Sequence, residues 1–395
     1  MTVRLFEIEP YRSEFEAIVV KTDGEWIQLD RTCFYPGGGG QDPDVGTMAG
    51  LNVVEVKAEK GIIRHRVPGH GFQEGQPVMG IIDWVRRYDL MKGHSGEHLL
   101  FSSLQRKVEG MELVKIAITP DKKMVMVRGM LDWAVISECQ KIVNEIIERG
   151  MASEEIVVGK DSPLLEQARV KLERIHGDRI RIVKFGDFDM AACAGVHVRN
   201  TKEIGMLLVT KFTSARPAGD FEIEFEVGDR AIAKGLELST LALQASAIMG
   251  ASTGTLLSSL TNQQEELSKA KDVLRTYAKD AFSRIEPTII GDMKVYSGVI
   301  EGIDRKTLMD AANSIVEKSS CMCAFAVDDE KLTLIVAANP DLGIDCTMVL
   351  NDVLKSVSGK GGGSRSFATG GACARGEGYR LVSEAVQRAS AGRQK

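Results

Sequence analysis

No apolar run in these 395 residues is long enough to span a bilayer, which removes a helical membrane anchor from consideration. The first stretch, "MTVRLFEIEPYRSEFEA", carries acids and a proline where a secretory signal needs a basic end and an apolar core, so the cytoplasm is the expected location. A disulfide framework is missing too. The seven cysteines (Cys33, Cys139, Cys193, Cys321, Cys323, Cys346, Cys373) are odd in number and scattered, and each is expected to be a small buried hydrophobe unless something else recruits it. An overall basic field is also lacking. The net charge is −5, which excludes general coating of nucleic acid by charge alone. Histidine is scarce, at six residues.

What is present is the composition of a globular protein, 44% hydrophobic and 27% charged, in a chain long enough for two to four domains. Charge is unevenly placed. Between Lys355 and Lys395 eight Lys/Arg face two acids, a local +6 on an acidic body. A basic end of that kind suits a local phosphate contact, and equally a solvated tail.

The pattern predicts an α+β protein in four parts. Residues 1–85 read as short strands, with a hairpin turn at Asp23-Gly24, and suggest a small β-barrel. Residues 86–228 interleave helices and antiparallel strands, with a helix through "GHSGEHLLFSSL" and another ending at Gly150. Residues 229–287 read as a helical arm. It is helical from Asp229 to Ile285, with Leu260, Leu267, Leu274 and Ala281 seven apart, and ends before Pro287. Residues 288–395 alternate strands and helices as a compact α/β unit that runs into "SGKGGGSRSFATGGA".

His94 and His98, four apart on the predicted helix, project from one face. Cys193 and His197 are also four apart, around Gly195, in "CAGVHVRNTKEIG". Three nitrogens and one thiolate make a donor set suited to a tetrahedral zinc ion. The pairs lie too far apart in sequence for a zinc finger. A catalytic cleft and a closed stabilising site remain equal alternatives. Asp187 and Asp189 are candidates to orient the imidazoles from behind. Glu97 is offset by one residue from the position of the base in an HExxH helix, so that role is not assigned to it. "FYPGGGGQDPDVG" has the form of a bare backbone wall with Gln41 beside it, where N–H groups could meet a ligand oxygen. It lacks the Lys-Ser/Thr ending of a P-loop.

These three motifs together resemble the editing domain of alanyl-tRNA synthetase and the freestanding alanyl-tRNA editing proteins. The family patterns are FY-x-x-GGQ-x-x-D-x-G, H-x-x-x-H and C-x-G-x-H-V-x-x-T-x-E-I-G. The tail "SGKGGGSRSFATGGA" is similar to the glycine-rich end of the C-terminal domain of the same synthetases and of DHH-type phosphoesterases, without the Asp-His-His signature of the latter. The glycine motif begins at Phe34, which leaves no room before it for an aminoacylation domain, so the resemblance implies a long freestanding editor. It further implies hydrolysis of the ester that joins a wrong amino acid, chiefly serine and also glycine, to tRNA(Ala). One zinc ion per chain would sit on His94, His98, Cys193 and His197, with Gln41, Gly39 and Gly40 as catalytic contacts to the substrate. Zinc would then activate water or only position the ester, and the residues leave both open. Lys360 and Arg365 are candidate phosphate contacts to tRNA, and a homodimer would form through the C-terminal domain or the helical arm. Two alternatives accompany this: a tRNA-binding module with a structural zinc, and an editor of another mischarged tRNA. Two positions depart from the family. Gly37 stands where some freestanding editors carry threonine, and Val196 where threonine is frequent, so two hydroxyls near the site are lost while the ligands are kept.

Overall fold

The computed structural model describes residues 2–59, 61–170, 178–328 and 331–392. Helices and strands are interleaved throughout, so the chain is α+β as expected. It divides into two compact units, Met1–Gln244 and Ala245–Lys395.

The first unit opens with a seven-stranded sheet in the order Leu51–Val53, Gly46–Met48, Pro77–Ile82, Glu14–Asp23, Trp26–Leu29, Ile62–Arg66, Glu55–Glu59. Its two outermost strands are separated in sequence only by Val54, whose N–H donates to the Arg66 carbonyl at 3.0 Å. A chain that passes from one edge to the other through a single residue leaves the sheet nearly closed. Alternation fills the interior: Phe15, Ala17 and Val19 are buried, while Glu14, Glu16 and Ile18, which alternate with them, are exposed. The Asp23-Gly24 signal becomes a two-residue loop with Gly24 at φ +58°.

Asp83 then caps helix Trp84–Lys107, its Oδ1 accepting the Arg86 N–H at 3.0 Å. A four-stranded antiparallel sheet follows, in the order Glu112–Ile118, Lys123–Arg128, Asp220–Val227, Leu207–Ser214. Helix Trp133–Arg149 starts at the cap Asp132 and ends at Gly150 with φ +78°, as its position in sequence anticipates. A three-stranded sheet, Ser153–Gly159, Arg179–Phe185 and Asp189–Ala192, leads into Cys193. Barrel, helices and four-stranded sheet share one apolar core that includes Phe15, Leu99, Ile136 and Phe225. Among the described residues, the connection between strands Ser153–Gly159 and Arg179–Phe185 holds a short 3₁₀ turn, Pro163–Glu166.

The helical stretch from Asp229 to Ile285 is two helices, Gly228–Met249 and Leu256–Ser283. The first stops at Gly250, whose φ of +61° no further helical turn can follow. In the second unit a six-stranded sheet runs in the order Thr288–Ile290, Met293–Val299, Cys321–Asp328, Leu332–Ala338, Phe367–Ala372, Lys360–Gly363. Met322, Ala324 and Ala326 face a core with helices Cys346–Leu354 and Gly378–Gly392. Cys321, Cys323 and Phe325 face the opposite core with helix Arg305–Lys318. These two cysteines are core hydrophobes. Among the described residues no helix is long and apolar enough to cross a membrane.

Candidate metal centre

His94 and His98 lie one turn apart on the buried side of helix Trp84–Lys107, with ring centroids 5.3 Å apart. Cys193 and His197 come from the turn that leaves strand Asp189–Ala192. Fold topology brings the two pairs to one point, where one ligating atom from each residue lies within 4.8 Å of all the others. Cys193 is partly exposed and the three histidines are buried.

Neighbours decide which nitrogen each ring presents. His94 Nδ1 donates to Gln41 Oε1 at 2.7 Å, so its Nε2 faces Cys193 Sγ, 3.5 Å away. His98 Nδ1 lies 2.7 Å from Asp189 Oδ2, which leaves its Nε2 to turn toward Cys193. His197 Nδ1 lies 3.2 Å from Ser95 Oγ, and its Nε2 is 3.3 Å from Cys193 Sγ. Three imidazoles thus turn their Nε2 atoms inward while partners behind them fix the ring orientations.

Electrostatics favour the ligating form of the sulfur. Burial pushes the Cys193 thiol up, but the charges of His94 and His197 and their hydrogen bonds outweigh it and hold it well below its ordinary value. Burial likewise pushes His98 down, yet the Asp189 carboxylate overrides it and raises the ring to about 10. His197 falls to about 3, chiefly through burial. Asp189, despite burial, is lowered by His98 and then by Arg169. A thiolate and three inward Nε2 atoms fit one divalent ion of borderline softness.

The glycine motif reaches this site by a separate route. Arg87, fully buried in helix Trp84–Lys107, donates through Nε to both Asp44 carboxylate oxygens at 3.0 and 3.1 Å, and also to the Pro10 and Cys33 carbonyls. Asp44 in turn accepts the Tyr35 N–H at 2.7 Å. That network ties the loop from Phe34 to Gly46 to the helix that carries His94. Within the loop, Gly38 and Gln41 exchange two backbone hydrogen bonds of 3.0 Å around Gly39 and Gly40, which have φ of +60° and +91°. The turn therefore consumes the N–H groups of Gly38 and Gln41. Those of Gly39 and Gly40 donate to nothing among the described residues. Gln41 is buried, and its Oε1 also accepts the Val196 N–H at 3.1 Å, so it braces His94 and the Cys193–His197 turn together. Its Nε2 is buried without a hydrogen-bond partner among the described residues.

The remaining expected residues fall in varied surroundings. Asp187 does not orient an imidazole: its side chain is fully exposed and sits 3.9 Å from Lys184, because the hairpin between Phe185 and Asp189 turns it outward. Glu97 is wholly buried, neither carboxylate oxygen has a hydrogen-bond partner among the described residues, and burial raises its pKa. Val196 is buried in the core. Lys360 and Arg365 belong to the second unit. Lys360 begins an exposed edge strand, and Arg365 Nε lies 3.4 Å from Asp345 Oδ2 with its side chain 87% exposed. Ser95 and Arg181 carry no signal in the sequence. Arg181 Nη1 donates to the Cys193 and Gly195 carbonyls at 2.9 and 2.7 Å and so clamps the ligand turn. No spacing rule marks a strand arginine for that task.

Fold and site define an α+β protein with a buried cluster of three histidines and one cysteine, apt for a single metal ion. Comparison with known proteins gives the family. Residues 180–220 match the threonyl and alanyl tRNA synthetase second additional domain, and residues 5–86 match the class II (A) tRNA synthetases. The alanyl-tRNA editing protein AlaX-L of Pyrococcus horikoshii is 30% identical over 399 residues, which cover 94% of each chain. Alanine–tRNA ligase of Archaeoglobus fulgidus is 30% identical over 392 residues, 93% of this chain but 42% of the ligase, so the chain spans about two fifths of such a relative. The solved C-Ala domain of Aquifex aeolicus alanyl-tRNA synthetase is 20% identical and covers 27% of this chain and 98% of that domain. Its TM-score of 0.25 is too loose to place a fold. The chain belongs to the alanyl-tRNA editing protein family.

Proposed function

We propose that this chain is a trans-editing hydrolase that deacylates mischarged tRNA(Ala), chiefly Ser-tRNA(Ala) and also Gly-tRNA(Ala), with one zinc ion on His94, His98, Cys193 and His197. The convergence of those four donors within 4.8 Å, in a chain of this family, carries the reading. A synthetase pocket for alanine rejects serine or glycine poorly, so a second site must remove the product. Zinc, when bound, supplies positive charge beside the ester carbonyl.

The chain's own residues supply the rest. Asp189 and Gln41 fix the His98 and His94 rings, and Arg181 shapes the Cys193–His197 turn. Gln41 Nε2 is a buried donor with no partner among the described residues, suited to an oxygen of the aminoacyl group. Gly39 and Gly40 add two free N–H groups on the exposed turn next to it. In this reading residues 1–85 and 86–228 form the barrel and the editing domain, residues 229–287 an arm, and 288–395 the C-terminal domain. That last part would contact tRNA phosphates through Lys360 and Arg365, and it or the arm would form a homodimer.

A second reading has one observation in its favour: four protein donors, three of them buried, also describe a closed structural site in a tRNA-binding module. Incubation of the purified protein with Ser-tRNA(Ala), Gly-tRNA(Ala) and a mischarged threonine-type tRNA, with and without chelator, decides between them. Release of serine that stops on chelation supports editing. No deacylation of any substrate leaves the structural module, and preference for the threonine-type substrate moves the protein to another tRNA. His98→Ala is expected to lose stoichiometric zinc by atomic absorption.

A further inference from the structure

Arg169 is not one of the four donors and carries no motif. Its backbone is nonetheless pinned to strand Asp189–Ala192 on both sides: its N–H donates to the Met190 carbonyl at 2.8 Å, and the Ala192 N–H donates to its own carbonyl at 3.0 Å. From there Nη1 approaches Asp189 Oδ1 at 3.3 Å, while the guanidinium carbon lies 4.7 Å from the centroid of the Phe101 ring. The other Asp189 oxygen, Oδ2, meets His98 Nδ1 at 2.7 Å. The carboxylate, 3% exposed, is thus held between a guanidinium and an imidazole, one oxygen to each.

Arg169 and Asp189 also border a cavity of about 560 Å³, with Ser102, Arg106, Lys184 and Phe188. The Asp189 carboxylate itself is buried, and the charge of Arg169 beside Oδ1 restrains its χ2 together with His98 at Oδ2. The plane of the Arg169 guanidinium is set by Phe101 beneath it, an arrangement that a flexible ammonium reproduces poorly. Among the described residues Nη1 is buried and makes no hydrogen bond, so what it offers Asp189 is charge.

We propose that Arg169 is a positioning residue of the metal centre: it restrains Asp189, which in turn aims His98 Nε2 at the ion. The inference rests on the metal-centre reading above. It is tested by zinc competition against a chromophoric chelator, using the full chain as wild type, Arg169→Met, Arg169→Lys, Asp189→Asn and the Arg169→Met/Asp189→Asn pair. Loss of a partner behind a ligand weakens metal binding by about tenfold or more, and Arg169→Met is expected to do so with Arg169→Lys recovering part of the loss. In the Asp189→Asn background Arg169→Met should cost nothing further, because its route to the metal is already cut. Wild-type affinity in Arg169→Met would overturn the inference, as would an equal loss in both backgrounds, which marks a general packing defect. If Arg169→Met does not fold, Arg169→Gln takes its place in the same cycle. A wild-type chain that binds no zinc sinks the metal-centre reading and this inference with it; zinc in the wild type with an unaffected variant sinks this inference alone.

Discussion

Gly195 shows how little room the site leaves. A Cβ there would lie 2.2 Å from His94 Cε1 and 2.8 Å from Gln41 Oε1, closer than any such contact can be. Gly195→Ala is therefore expected to displace His94 and abolish zinc retention while the far-UV circular dichroism stays native; full zinc content in the variant would refute this. His65 gives a prediction of another kind. It is wholly buried in the barrel, where Thr32 Oγ1 lies 2.8 Å from Nε2, and burial lowers its pKa from the ordinary 6.5 to about 4. Between those two values the unfolded chain takes up a proton that the folded chain does not. Stability is unaffected above pH 6.5 and falls as the pH drops through the window, by roughly 3 kcal/mol in all. Urea unfolding at pH 7 and pH 4.5 should show most of that loss in the wild type and a smaller one in His65→Gln.

At the scale of elements, the buried Arg87–Asp44 pair joins the glycine loop to the ligand helix. Truncating either partner strands a charge with no solvent. Arg87→Leu is expected to destabilise the first unit by about 3–5 kcal/mol in denaturant titration. Removal of the exposed helix cap by Asp132→Ala should cost only about 1 kcal/mol. The glycine-rich tail also has an elemental explanation. It folds as the edge strand Lys360–Gly363 paired with its inner neighbour Phe367–Ala372 against helix Cys346–Leu354, and Cβ atoms on Gly361 and Gly370 would meet Leu350 and Leu354 at 2.5 Å. Those glycines make room for leucines.

At the scale of the molecule, the chain has two units with separate cores. All four donors lie in the first, so a fragment ending at Gln244 is expected to bind zinc with the stoichiometry of the whole chain. Loss of zinc in that fragment would show that the second unit is needed for the site. Lys360→Ala with Arg365→Ala should leave zinc content intact, weaken tRNA binding, and make the salt dependence of binding shallower by about one unit for each phosphate that is no longer neutralised. Leu260, Leu267 and Leu274 are each more than two-fifths exposed on helix Leu256–Ser283, and their replacement by lysine is the variant for testing the proposed homodimer by sedimentation.

The donor types were legible in the sequence because ligand chemistry is local. Two histidines four apart on a helix must share a face, and a cysteine and histidine around a glycine can converge. The barrel strands were legible for the same reason, since period-two alternation is local. Which donors meet, and what orients them, was settled only by tertiary structure. Gln41 behind His94, Asp189 rather than Asp187 behind His98, Arg181 across the ligand turn and Arg87 on Asp44 are contacts between residues distant in the chain. Their geometry depends on how sheets and helices pack, and no periodicity or spacing encodes it.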